Sequence, residues 1–285
     1  MLRRRFQAMG TQIELVLDTR PSATAFRALA AAEADLRRLE RFLTRFDPHS
    51  ELSRLNELGT MVVGPALLEV VELALDARQR TRGRFDPTVH NALVGAGYNR
   101  TFAQVPRNSD APPEAPARCA GGIRVDGETS TIELEPGVRL DLGGIAKGYA
   151  ADRAAAILAQ AGPCLIDAGG DIALRGRPWP VGVETSDGTL TLELSEGGLA
   201  TSGRDRRHWT RAGAEQHHLI DPATGRPAEG DLLRVTVAAA SAAEAEVQAK
   251  TLFLAGASAA LEEASNDAVV LVTRDGRTLL AGALA

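Results

Sequence analysis

Helical periodicity and strand character occupy separate stretches of this chain, and their order leaves few folds open. Apolar residues recur at helical spacing over residues 25–45, 67–81, 145–161 and 242–264, the last with a break at Gly256. Pro65 opens the second of these and Gly83 closes it. β-rich runs fall elsewhere, at 6–17 around Ile13, Leu15 and Leu17, and then at 122–125, 131–134, 138–140, 164–167, 171–175, 180–184, 190–194, 199–202, 234–238, 269–272 and 278–280. Because strand follows strand for much of the chain, the order is α+β and not a regular βαβ array. The expectation is mixed sheets packed with helices, two lobes in one compact unit. With 285 residues, 44% of them hydrophobic, the chain can bury a sizeable core. It is expected to be a single domain over 1–285, with the Pro-rich, aperiodic stretch 99–118 as a surface loop.

A formal charge of −5 opposes general nucleic-acid binding, which needs a basic face, and leaves a small molecule or a protein as partner. The two cysteines, Cys119 and Cys164, form no CxxC and indicate neither zinc nor a disulfide framework. The start is basic, but no apolar segment follows it, so a cytoplasmic location is expected. No run of eighteen apolar residues occurs, so no membrane span is expected. Among 32 basic residues only Lys147 and Lys250 are lysines. Where any cation serves, this chain uses Arg, so the two lysines mark places that need a compact ammonium, or else are chance survivors on exposed helices.

Four segments carry candidate chemistry. Asp141-Leu142-Gly143-Gly144-Ile145-Ala146-Lys147-Gly148 joins a β-rich stretch to a helix, where bare backbone and the N–H groups of a helix start favour an anion and Lys147 adds a point charge. It matches neither the dinucleotide nor the P-loop fingerprint, and a plain Gly-rich turn is the competing reading. Ala168-Gly169-Gly170-Asp171 is a second glycine pair at a strand end. Gly83-Arg84-Phe85-Asp86-Pro87-Thr88 sets Asp86 in a proline-fixed turn, where Asp is also an ordinary cap residue. His217-His218 run into the Asp221-Pro222 turn, which can hold an imidazole as acid or base or simply as structure. No histidine spacing fits zinc.

Taken together with Met9-Gly10-Thr11, residues 46–53 from Phe46 to Ser53, and Thr201-Ser202-Gly203, these segments resemble the ApbE family of flavin transferases, in its order, from residue 9 to about 256. The resemblance implies an ApbE-like fold and binding of FAD between two lobes. It also implies Mg²⁺-promoted transfer of FMN to a threonine hydroxyl of an acceptor protein, with AMP released. It would set Met9, Phe46, Arg84, Phe85, Asp86 and Asp141 around the flavin and adenosine, Lys147 near the phosphates, and His218 as the group that activates the hydroxyl.

The family's usual metal ligands are an Asp and a Thr four residues apart at the start of the late helix, with a backbone carbonyl, here that of Gly144. This chain has Glu246 and Lys250 there. Glu can ligate Mg²⁺, whereas an ammonium is donor-only. The sequence reading is that Lys250 stands where the metal would be, paired with Glu246. An exposed i,i+4 pair is the plain alternative. Three functions stay open: a working transferase, an FAD pyrophosphatase giving FMN and AMP, and a non-catalytic FAD-binding protein.

Overall fold

The computed structural model describes residues 1–264 and 267–285. Its helices are α1 (Ala23–Leu43), α2 (Glu51–Leu58), α3 (Pro65–Arg80), α4 (His90–Gly95), α5 (Ala146–Ala159), α6 (Ala242–Ala255) and α7 (Ala257–Glu263). The chain divides into two compact units. Residues 1–40, 145–202 and 231–285 make the first, and residues 41–144 and 203–230 the second.

The first unit is built on an eight-stranded sheet. Its strands are β1 (Leu2–Ala8), β2 (Thr11–Leu17), β3 (Cys164–Ala168), β4 (Ile172–Arg175), β5 (Gly197–Gly203), β6 (Leu232–Ala239), β7 (Ala268–Thr273) and β8 (Thr278–Gly282). They lie side by side in that same order. Neighbours from β1 to β5 and from β6 to β8 pair antiparallel, so those pairings need no βαβ crossover. A separate hairpin, Trp179–Thr185 with Gly188–Leu194, alternates buried and exposed residues. It lays Trp179, Val181, Val183 and Leu192 on Val16, Leu174, Leu199 and Val270 of the sheet. Helices α5 and α6 pack on each other, α5 also against β3 and β4 and α6 against β6.

The run 6–17 is not one strand but the end of β1 and all of β2, turned at Met9-Gly10. Both turn residues have positive φ, 54° and 68°, as a two-residue hairpin loop requires. The Met9 N–H donates to the Glu40 carboxylate at 2.6 Å, which holds this costly non-glycine conformation.

The second unit carries α2, α3, α4, the two-stranded pairing of Ile220–Asp221 with Arg226–Pro227, and two three-stranded sheets. In one, Thr131–Leu134 lies between Thr60–Val62 and Ile123–Asp126; in the other, His208–Arg211 lies between Ala214–His217 and Asn108–Ser109. Its aromatic core joins Tyr98 and Trp209, 5.7 Å between ring centroids, with Phe46 5.6 Å and Phe102 6.2 Å from Tyr98.

Two local readings are corrected here. Residues 138–140 are not a strand. The Asn56 side chain donates to the Leu140 carbonyl at 2.9 Å and accepts the Leu140 N–H at 2.6 Å, so one amide replaces a neighbouring strand. Residues 51–58, to which periodicity assigned nothing, form α2, capped by the Ser50 hydroxyl accepting the Ser53 N–H and ended by Gly59 at φ 76°. The stretch 99–118 holds a 3₁₀ turn at Phe102–Gln104 and the strand Asn108–Ser109, and is otherwise without helix or strand. No described helix is long and apolar enough to cross a membrane.

Candidate functional site

In the first unit three distant parts of the chain meet at one ammonium. Lys147 lies in the first turn of α5. Its Nζ donates to the Asp171 carboxylate and, at 2.7 Å, to Glu246 Oε1. Only 15% of the Lys147 side chain, 4% of Asp171 and 6% of Glu246 is exposed. Asp171 follows the Gly169-Gly170 turn between β3 and β4, which is closed by Gly170 N–H donating to Asp167 at 2.8 Å and Ala168 N–H to the Asp171 carbonyl at 2.9 Å. A side chain at Gly169 would collide with Thr11, so the segment 9–11 packs directly on the segment 168–171.

The start of α5 already holds an anion. Glu246 Oε2 accepts the Gly148 N–H at 2.9 Å, in the position where a helix N-terminus favours negative charge. The start of α6 is closed as well. The N–H groups of Ala242 and Ala243 each donate to the Asp152 carboxylate at 2.9 Å, and that of Glu244 to the Ser241 hydroxyl at 3.1 Å. The Ala245 N–H then makes the first intrahelical bond, to the Ser241 carbonyl at 3.0 Å. Three of the donors that a helix start leaves without intrahelical partners are thus held by the chain itself.

The sequence pointed to Lys250 as a cation beside Glu246, and the structure brings the ammonium of Lys147 to that carboxylate as well. Lys250 lies one helical turn beyond Glu246 on α6, half-buried. The docking of α6 on α5 brings Lys147 to the carboxylate. Mg²⁺ requires an octahedron of oxygens at about 2.0–2.1 Å. Here both Glu246 oxygens carry donors, and the residue one turn on has no lone pair to give. Among the described residues no group of three or more His, Cys, Asp or Glu can hold a metal ion. The residues present do not fit Mg²⁺.

In the second unit Asp141 is paired with Arg45, their side chains 11% and 5% exposed. Arg45 also donates to the Tyr98 carbonyl at 2.7 Å and stacks over Phe46 and Tyr98, 4.3 and 4.7 Å from the ring centroids. Asp141 Oδ1 accepts the Gly143 N–H at 2.8 Å, so this N–H of the glycine-rich segment is held by the chain itself. Gly144 is buried at the end of the unit. His90 lies in the field of Arg45 and Asp141, and burial lowers its pKa from the usual 6.5.

Phe85 and Asp86 act from inside the loop. Phe85 is core, and no part of the Asp86 side chain is exposed. Asp86 Oδ1 accepts the Thr88 N–H and hydroxyl, both at 2.8 Å, and Oδ2 the Ala120 N–H at 2.8 Å. These bonds fix the loop, and the adjoining Pro87 carbonyl takes the Asp141 N–H at 2.8 Å. Arg84 is half-buried beside them.

The two histidines part company at the end of the strand Ala214–His217. His217 is buried, its Nε2 donating to the Ala228 carbonyl at 3.0 Å and its Nδ1 accepting the Leu219 N–H at 3.3 Å, a pattern that assigns a neutral structural ring. His218, next in the chain, is half-buried. Sequence reasoning missed Arg45, Asn56 and Asp152. An Asp five residues after a lysine on an alanine-rich helix was the only signal of Asp152.

Residues 9–272 match the model of the ApbE family. The FAD:protein FMN transferase of Treponema pallidum is 31% identical over 274 residues, which cover 85% of this chain and 75% of that protein. That of Rhodobacter capsulatus is 31% identical over 278 residues, 88% of this chain but 51% of that protein, so the chain spans about half the length of that relative. The crystal structure of the ApbE protein of Thermotoga maritima matches with a TM-score of 0.85 at 25% identity, over 98% of this chain and 96% of that one.

Proposed function

The chain belongs to the ApbE family, and on that premise we propose that it is an FAD:protein FMN transferase. It moves FMN from FAD to a threonine hydroxyl of an acceptor protein and releases AMP. Likeness to the Treponema pallidum transferase over most of the chain supports the activity. The observation that carries the chemistry is the convergence on Lys147 of carboxylates 24 and 99 residues away in the chain.

In this reading the threonine oxygen attacks the phosphorus of the FMN half. A new P–O bond forms as the bond from that phosphorus to the bridging oxygen breaks, and the bridging oxygen leaves with AMP. The hydroxyl proton passes to His218. Phosphoryl-type transfer depends on alignment and charge neutralisation more than on covalent catalysis. Lys147, held by two carboxylates, offers a pre-aimed cation whose reorganisation cost is already met by the fold. Met9, Phe46 and Asp141 bind the flavin and adenosine parts, Arg84 contributes from the adjoining loop, and Phe85 and Asp86 keep that loop in place. No step is routed through a metal ion.

The test incubates pure protein with FAD and a threonine-bearing acceptor fragment, measuring AMP by chromatography and flavin fluorescence on the acceptor after denaturing electrophoresis. AMP and labelled acceptor are expected in equal amounts. AMP with unlabelled acceptor would make the protein a pyrophosphatase, and intact bound FAD a carrier. His218→Ala is expected to slow transfer by about 10²–10⁴-fold, the usual worth of a general base, while FAD affinity is retained.

A further inference from the structure

We infer that the ammonium of Lys147 fills the position a divalent cation would take at Glu246, and that no divalent metal ion binds there. The inference rests on FAD as substrate and adds which charge stands beside Glu246.

Three observations lead to it. The position is filled, since Glu246 gives one oxygen to Lys147 and the other to the Gly148 N–H. It is also balanced. The carboxylates of Asp171 and Glu246 are matched by the ammonium of Lys147 and that of Lys250 one turn along α6, so no excess negative charge draws in a dication. Finally, Glu246 is held on a fixed backbone. Asp152 pins the first two N–H groups of α6, and Gly148 lets the Ala242 backbone rest directly on α5. Turning the carboxylate toward a metal would strip both of its bonds and leave a buried Lys147 beside a second cation. In a chain whose other basic residues are all arginine, two lysines here fit the need for a compact point charge that a planar guanidinium does not meet.

The experiment is a Mn²⁺ titration of the full chain, read by the electron paramagnetic resonance signal of free Mn²⁺, with and without FAD. Wild type is expected to show no saturable site below about 1 mM, the weak end of natural carboxylate sites. Lys147→Ala, which frees both carboxylates, is expected to bind one Mn²⁺ with affinity raised about tenfold or more. The double variant Glu246→Asp, Lys250→Thr, which keeps Lys147 but breaks the charge balance, is expected to gain a site too, and covers the case in which Lys147→Ala does not fold.

One tight Mn²⁺ per wild-type chain, lost in Glu246→Gln, would overturn the inference. So would a folded Lys147→Ala that binds Mn²⁺ no better than wild type. Because the titration is run without FAD as well, a failure to bind FAD counts against the transferase reading and not against the metal result.

Discussion

Replacing Gly148 by alanine probes the contact on which the arrangement at Lys147 depends. A Cβ at Gly148 lies 2.6 Å from both the Ala242 carbonyl carbon and the Ala243 nitrogen, where ordinary contact begins at 3.4 Å. These are backbone atoms, so no rotamer change relieves the clash, and α6 must retreat by about 1 Å. A retreat of that size carries the 2.9 Å bonds from Gly148 to Glu246 and from Ala242 and Ala243 to Asp152 out of hydrogen-bonding range. Overpacking costs about 1–3 kcal/mol and loss of a bond to a charged group about 1.5–3 kcal/mol. Alanine returns about 1 kcal/mol of helix propensity. The expected net loss is about 2–5 kcal/mol, measured by urea unfolding followed by circular dichroism. Gly230→Ala is the control: nothing lies within 4 Å of its added methyl, and it should be neutral or stabilising by up to about 1 kcal/mol. A Gly148→Ala protein as stable as wild type would refute the claim that the α5–α6 crossing is closed to a side chain.

Arg45→Ala should destabilise the protein by about 3–5 kcal/mol, because it leaves the nearly buried Asp141 without its cation. Arg45→Lys should recover only part of that, since the bond to Tyr98 and the stacking on two rings use a planar guanidinium; full recovery in the same unfolding assay would contradict this. Burial pushes the Asp152 carboxyl above its usual 3.8, against the lowering effect of the Ala243 and Ala242 N–H bonds. The folded state therefore holds this proton more tightly, and the stability it contributes grows as pH falls through the raised value toward 3.8 and is lost as pH rises. Unfolding of wild type and Asp152→Asn compared across that window should show wild type gaining on acidification, and a constant difference would count against it.

Much of the secondary structure is legible because its causes are local. Alternation marks Thr131–Leu134 and the hairpin from Trp179 to Leu194, and Gly256 ends α6 where the periodicity breaks. Local signals failed where a distant side chain took over the backbone, as Asn56 does at Leu140. They also failed where a helix as short as α2 showed its caps but little period. At the candidate site, residue types could be read and partnerships could not. The rarity of lysine singled out Lys147 and Lys250, and i,i+4 spacing set Lys250 beside Glu246, but no local signal brought Lys147 to the same carboxylate.

By itself, the sequence determined which stretches become strands and helices, where an ammonium or carboxylate is available, and the family likeness that the ordered motifs carry. Tertiary structure alone decided that Lys147 meets Asp171 and Glu246, that Asp86 turns inward, and that His217 is structural. The reason is the range of the forces. Periodicity and capping act over a few residues, whereas the bond from Lys147 to Glu246 joins positions 99 residues apart and exists only because α6 docks on a helix that has a glycine at the point of contact.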